Sequence, residues 1–387
     1  MKISKKLIAQ TLSVCMMFGS AQVFADTVKV GMSAAFSGPT AALGNGVKSG
    51  VEAYFKEINA KGGINGNTLE LVGYDDGYEP AKASPNMEKL IDQDNVIAVI
   101  GNVGTPTAVV TVPIANEKKT LLFGAFTGAG LLRKSPPDRY IINYRASYAD
   151  ETSAMIQGLM SSGIKPEEIA FFTQNDGYGD AGYNGAVKAL KDAGFAGADS
   201  LAHGRYTRNT TNVESGLATI LDAEVEPKAV IMVGAYAPCA KFIQLAKEDL
   251  PDTHFLNVSF VGSAALLKTL GDDAENVIVT QVVPHPESDL AGVQDYQSAL
   301  SAYDSSLKPD FVSLEGYIAA KLFAEGLKKA GTADREGVID GLLSLGDIDI
   351  RIGETLNISS NNRQASHKVW PTIIKDGKYV ELDWGSL

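Results

Sequence analysis

Short apolar runs rich in β-branched residues recur along this chain, each handing over to a stretch with helical periodicity, and few architectures accommodate that alternation. The runs are Val28 to Met32, Leu69 to Tyr74, Val96 to Ile100, Leu121 to Phe123, Ile169 to Thr173, Ala229 to Val233, Phe255 to Val261 and Val277 to Val283. In the first helical stretch Val47, Val51, Tyr54, Phe55 and Ile58 fall at i, i+4, i+7, i+8 and i+11, which makes one apolar stripe. The turn Gly62-Gly63-Ile64-Asn65-Gly66 stops that helix. Repeated strand, helix, strand units imply parallel sheets covered on both faces. The strands are too many for one comfortable sheet, so the pattern predicts an α/β chain of two doubly wound lobes. The one weak break lies at Ser135 to Tyr148, around Pro136, Pro137 and Asp138, and a lobe boundary is placed there. The stretch from Val369 to Trp384 reads as a β-hairpin about Asp376-Gly377, although pattern does not say which sheet it joins.

Residues 1–25 read as an export signal: Lys2, Lys5 and Lys6, an apolar stretch from Leu7 to about Gly19, then Val23-Phe24-Ala25 before Asp26. That stretch is shorter than the ~20 residues a spanning helix needs. Leu12-Ser13-Val14-Cys15 offers a competing lipoprotein box with Cys15 acylated, but Val14 stands where such boxes want Gly, Ala or Ser. Removing the signal takes away three lysines and no acids, so the net charge moves from −12 to −15. Such acidity argues against nucleic acid or anionic lipid as a partner, because both are bound through Lys and Arg. Cys239 is then the single remaining cysteine, so no internal disulfide is expected.

In open parallel sheets, ligands bind beyond the carboxyl ends of strands. After Val96 to Ile100 comes Gly101-Asn102-Val103-Gly104-Thr105-Pro106-Thr107, in which Thr105 is placed as N-cap and Pro106 as first helical residue. The amides of Thr107 and Ala108 would then point out of a helix start that suits a carboxylate; the plainer reading is an ordinary capped helix. The next strand ends in Gly124-Ala125-Phe126-Thr127-Gly128, where Thr127 offers a hydroxyl and Ala125 a carbonyl. Tyr178, in Asn175-Asp176-Gly177-Tyr178-Gly179, and Tyr236, in Gly234-Ala235-Tyr236-Ala237-Pro238, read as exposed aromatics beside glycines, free for recognition or lying over their own lobe.

No catalytic constellation assembles. His203, His254, His285 and His367 are scattered without metal-ligand spacing. Ser305-Ser306-Leu307-Lys308 lacks the partner motifs of penicillin-recognising enzymes, and Gly128-Ala129-Gly130 lacks the third glycine and the downstream acid of a dinucleotide site. Asp75-Asp76 and Asp272-Asp273 read as turn or cap carboxylates. The expectation is a binding protein without catalytic residues, cofactor or metal.

The run Glu57-Ile58-Asn59-Ala60-Lys61-Gly62-Gly63-Ile64-Asn65-Gly66, followed by Leu69, Leu71, Asp75-Asp76 and Pro80, resembles the signature of the leucine/isoleucine/valine-binding branch of type I periplasmic binding proteins. Val30-Gly31, Ser37-Gly38-Pro39, Gly101 to Thr107, Ala125 to Thr127, Tyr178-Gly179 and Tyr236 follow in family order, so the resemblance covers essentially the whole mature chain. It implies two Rossmann-like lobes joined by a three-strand hinge, with residues 26–146 and 283–358 in lobe 1 and 147–282 and 359–387 in lobe 2. It also implies a periplasmic monomer that hands a small ligand to an ABC permease and ATPase, or alternatively reports ligand to a membrane-bound kinase or cyclase.

Carried over by position, the resemblance gives Thr105 the ligand carboxylate, Thr127 and Ala125 the carboxylate and amine, and Tyr178 and Tyr236 the lid of the second lobe. The chain departs from the family in three places. Ala264, in Gly262-Ser263-Ala264-Ala265, replaces the Glu that pairs with an α-ammonium; Leu43 replaces a ligand-facing aromatic; Tyr78 and Gly104 stand where some members have a disulfide. An unpaired buried ammonium is costly, so the ligand is expected either to be a carboxylate without an α-amine, or to find its missing charge in Asp150.

Overall fold

A computed structural model describes residues 26–387. The signal reading of residues 1–25 and the alternative at Cys15 lie outside the described residues. Lobe 1 begins with strand β1 (Thr27–Ala34), helix α1 (Ala41–Ala60), β2 (Thr68–Asp75), α2 (Pro80–Asp92), β3 (Ala98–Ile100), α3 (Thr105–Glu117), β4 (Leu121–Phe123) and β5 (Ile141–Ile142). Its sheet is parallel throughout, in the order β2-β1-β3-β4-β5. The stripe on α1 holds: Val47, Val51, Tyr54 and Phe55 are buried, and the helix stops where Gly62 and Gly63 take φ of 98° and 75°.

Lobe 2 follows with α4 (Tyr148–Ser161), β6 (Ile169–Gln174), α5 (Gly177–Asp192), β7 (His203–Tyr206), α6 (Glu214–Leu221), β8 (Ala229–Val233), α7 (Tyr236–Asp249), β9 (His254–Asn257), α8 (Ser263–Leu270) and β10 (Ile278–Gln281). The chain then returns to lobe 1 as α9 (Ala291–Tyr303), α10 (Phe311–Ala330), α11 (Arg335–Leu343), β11 (Gly346–Ile348) and β12 (Leu356–Ile358), with α9 and α10 packed on α1. The last residues form the expected hairpin, β13 (Trp370–Lys375) and β14 (Lys378–Glu381), turning at Asp376 and Gly377, which both have positive φ. Its sheet is now assigned: β13 pairs antiparallel with β10, giving lobe 2 the order β14-β13-β10-β9-β8-β6-β7.

Three chain passages lie side by side where the lobes meet. Asn143 N donates to Arg363 O at 2.7 Å, and Ser366 N donates to Tyr144 O at 2.8 Å, which fastens the first passage to the third. The Tyr144 hydroxyl donates to Val282 O at 3.1 Å and adds the second. One expectation is corrected: Phe255 to Val261 is not a single strand. β9 ends at Asn257, and Ser259–Val261 form a 3-10 turn closed by Gly262 in the left-handed region, φ 81°. That turn swings Phe260 out of the sheet and into the space between the lobes.

Candidate functional site

The start of α3 differs from the sequence expectation in a way that matters for chemistry. Gly104, not Thr105, is the N-cap, with φ 98°, and Thr105 is the first helical residue. The Ala108 amide is taken by Gly104 O at 3.1 Å, so it is not one of the free donors. Among the described residues the amides of Thr105 and Thr107 have no hydrogen-bond acceptor, as the first turn of any helix requires unless something caps it. Relieved of the capping position, the buried Thr105 hydroxyl meets that of Thr127 at 2.7 Å.

Thr127 is held in place by a tight loop after β4. Phe126 N donates to Asn102 O at 2.8 Å, Gly104 N to Phe126 O at 3.1 Å, and Thr127 N to Ala125 O at 2.8 Å, so the Ala125 carbonyl is already engaged locally. From lobe 2, the first residue of α4 completes the group. The buried Tyr148 hydroxyl faces the Thr127 hydroxyl and the Gly128 amide, neither in hydrogen-bonding geometry, so a buried donor stands unsatisfied at the seam. Burial pushes the Tyr148 phenol up to about 12, with Arg145 pulling the other way, so the hydroxyl keeps its proton at neutral pH.

Around these polar groups the walls are aromatic. Tyr178 is fully buried, not exposed as its glycine-rich surroundings suggested, and its hydroxyl donates to Gly234 O at 3.1 Å. Its ring centroid lies 5.2 Å from Tyr148 and 4.6 Å from Phe260. Phe260 in turn lies 5.5 Å from Phe126 and 5.9 Å from Tyr78, so rings from both lobes touch across the cleft. Tyr236 is half-buried at the edge, directed toward the Ala42 amide of α1 and beside Gly262, which also meets Leu43. The lobes are closed on one another at the rim as well. Glu79 accepts from Arg208 Nη2 at 2.6 Å and from Asn209 Nδ2 at 2.6 Å, and Gln174 Nε2 donates to the Tyr78 hydroxyl at 3.2 Å.

Two other expected positions lie apart from this cluster. Ala264 is exposed at the start of α8 and lines a separate cavity of about 230 Å³ with Asp310, Phe311 and Tyr379. Asp150 closes a capping box on α4: its Oδ2 accepts from Ser147 N at 2.8 Å, Ser147 Oγ at 2.7 Å and Gln364 Nε2 at 3.1 Å, and these bonds hold its carboxyl below the usual range against the effect of burial.

Sequence reasoning missed Tyr148, Phe260 and a buried charge cluster behind the aromatic walls. Arg145, in the first passage between lobes, is fully buried with Glu151 Oε1 3.2 Å from Nη2 and Glu315 Oε1 3.6 Å from Nη1. The available signal was an arginine inside a largely apolar boundary segment, Ile141-Ile142-Asn143-Tyr144-Arg145-Ala146.

A family model described as periplasmic binding protein matches residues 27–378. The leucine-, isoleucine-, valine-, threonine- and alanine-binding protein of Pseudomonas aeruginosa is 26% identical over 329 residues, covering 84% of each chain. The Leu/Ile/Val-binding protein homolog 7 of Brucella abortus is 27% identical over 403 residues, which covers 98% of this chain and 96% of that one. The crystal structure of a possible leucine/isoleucine/valine-binding protein from Rhodopirellula baltica shares 48% identity with a TM-score of 0.91, covering 94% of this chain and 98% of that one.

Proposed function

Because this chain belongs to the periplasmic binding proteins of branched-chain amino-acid type, which bind solutes and are not enzymes, we propose that it captures a small carboxylate-bearing ligand in the periplasm and delivers it to an ABC permease. Residues 1–25 serve as its export signal. The observation that carries this reading is the Thr105–Thr127 hydroxyl pair at the start of α3, faced by the Tyr148 hydroxyl of the other lobe. The unpaired helix amides and the Tyr148 hydroxyl offer donors at a positive helix end, which suits an anion. Tyr178, Phe260 and Phe126 supply flat apolar walls for the body of the ligand.

The ligand is a carboxylate without an α-amine. Ala264 carries no charge, Asp150 spends its Oδ2 on the α4 cap, and the buried acids Glu151 and Glu315 are already shared with Arg145. An ammonium in the cleft would therefore lose its hydration without gaining a free carboxylate. Ligand carried by lobe 1 recruits the aromatic lid of lobe 2, and the extra contacts favour the closed form. Calorimetric titration of ligand-stripped, refolded protein with leucine, isoleucine, valine and their desamino counterparts is the test. Tight binding of the desamino acids is expected; tight binding of the amino acids alone would sink the idea.

A further inference from the structure

Arg145 stands at the point where the two walls of the cleft meet the hinge, and its two sides are fastened differently. Toward lobe 2, Nη2 bonds Glu151 Oε1 and the Ser259 hydroxyl. Glu151 is itself pinned there, accepting from Ser259 N at 2.7 Å, Ser259 Oγ at 2.9 Å and Thr280 Oγ1 at 2.7 Å. Toward lobe 1, the guanidinium has the face of Phe126, 4.9 Å from its carbon to the ring centroid, and Glu315 of α10 at 3.6 Å. Its Nε and Nη1 are buried with no hydrogen-bond partner. The lobe 2 side is thus held by hydrogen bonds and the lobe 1 side by a longer charge contact and a ring face. Swinging the lobes apart would break the second set first.

We propose that Arg145 is the positioning residue of closure: it joins the Phe126 wall of lobe 1 to the Ser259–Phe260 wall of lobe 2, and shutting the lobes seals the Glu315 carboxyl beside it at a cost to the ionised form that the Arg145 contact only partly offsets, so that closure is coupled to pH through Glu315. This rests on the two-lobed binding reading but not on the identity of the ligand.

The sign follows from the surroundings of Glu315. In the closed form burial pushes its carboxyl up to about 7; Arg145 and Arg133 pull it down, and Glu151 pushes it further up. Tyr144 of the first passage also faces it, with its own phenol raised by burial and so neutral. Opened to water, the carboxyl returns toward the ordinary ~4.3. The closed form therefore holds the proton more tightly, so closure is favoured below pH 7 and that gain is lost as pH rises through 7. Between pH 6 and 8 the closed-to-open ratio falls about tenfold.

The test is a distance distribution between spin labels on Ala81→Cys of lobe 1 and Asn212→Cys of lobe 2, both exposed, with the native Cys239 buried and unlabelled. Without added ligand, the closed-to-open ratio should drop about tenfold from pH 6 to pH 8. Glu315→Gln should make it flat, and Arg145→Lys, which keeps the charge but loses the planar fork, should lower it at both pH values. A Glu315→Gln profile parallel to that of the parent protein, or a parent ratio that does not change with pH, overturns the proposal. If Arg145→Lys fails to fold, Glu315→Gln decides alone. The ligand titration above is independent: the wrong ligand class would leave this pH profile intact.

Discussion

Adding one carbon at Gly104 should be felt across the whole cleft. A Cβ at this residue would lie 2.1 Å from Tyr78 Cε2, far inside contact distance, on a backbone whose φ of 98° already disfavours any side chain. The strained φ costs ~1–3 kcal/mol. Relief of the clash has to come from the Tyr78 ring, which is fully buried and whose hydroxyl accepts the inter-lobe bond from Gln174, a bond worth about 1 kcal/mol when lost. Gly104→Ala should therefore destabilise the protein by roughly 3 kcal/mol in urea unfolding followed by circular dichroism, fitted for two transitions if the lobes melt separately. The cause is separable. In a Tyr78→Ala background the clash is gone and only the backbone strain remains, so the penalty for Gly104→Ala should shrink by at least about 1 kcal/mol. An equal penalty in both backgrounds would refute the claim that Tyr78 fills the space over the α3 start.

Three other expectations bear on the site and its rim. Thr105→Val should weaken whichever of leucine or 4-methylpentanoate the titration selects by ~1–3 kcal/mol, through a lost charge-assisted bond; unchanged affinity would reduce Thr105 to a brace for Thr127. Glu79→Gln loosens the partly exposed rim contact to Arg208 and Asn209, so stopped-flow release of the same ligand should quicken about two- to fivefold at low salt, an effect worth under ~1 kcal/mol that high salt erases. A salt-independent change would point away from the ion pair. Asp76 is buried, which raises its carboxyl to about 6 despite bonds from Ser33 Oγ and Tyr78 N. Its contribution to stability is full below about pH 4 and is lost as pH rises through 6. Relative to the parent, Asp76→Asn should thus fare better at pH 7 than at pH 4.5 in urea melts, and a difference independent of pH would contradict this.

How much of this was visible in the sequence depended on whether the determining interactions were local. The α1 stripe, the glycine stop after it and the hairpin about Asp376-Gly377 are periodicity and turn chemistry, and each appears where expected. β7 escaped because His203-Gly204-Arg205-Tyr206 carries no apolar run; it is an edge strand with alternating burial. Phe260 escaped because Phe255 to Val261 reads as one strand, whereas the strand stops at Asn257 and the residues after it close a 3-10 turn on Gly262 in the left-handed region. Tyr178 was placed at the right strand end but in a loop and with the wrong exposure: it lies in the first turn of α5, and the rings of Tyr148 and Phe260 that bury it arrive from distant parts of the chain. Arg145 gave the least warning, because its partners Glu315 and Ser259 are brought to it only when both lobes are assembled.

The way the chain weaves between lobes has a consequence for how the protein comes into being. Helices α9 and α10, which cover α1, are made only after the parallel strands of lobe 2, and β13, which seals the edge of β10, comes within the last eighteen residues. The end of the chain then docks back: Trp384 lies against Gly158 of α4, and its carbonyl accepts from Ser162 Oγ at 2.7 Å. Lobe 1 is not covered until α9 and α10 have followed lobe 2, and lobe 2 is not sealed until β13 has followed them, so each lobe waits on a segment made after part of the other. Such late, long-range pairing is slow to form. It also means that removing β13 and β14 would bare the β10 edge of a sheet whose other strands were made long before them.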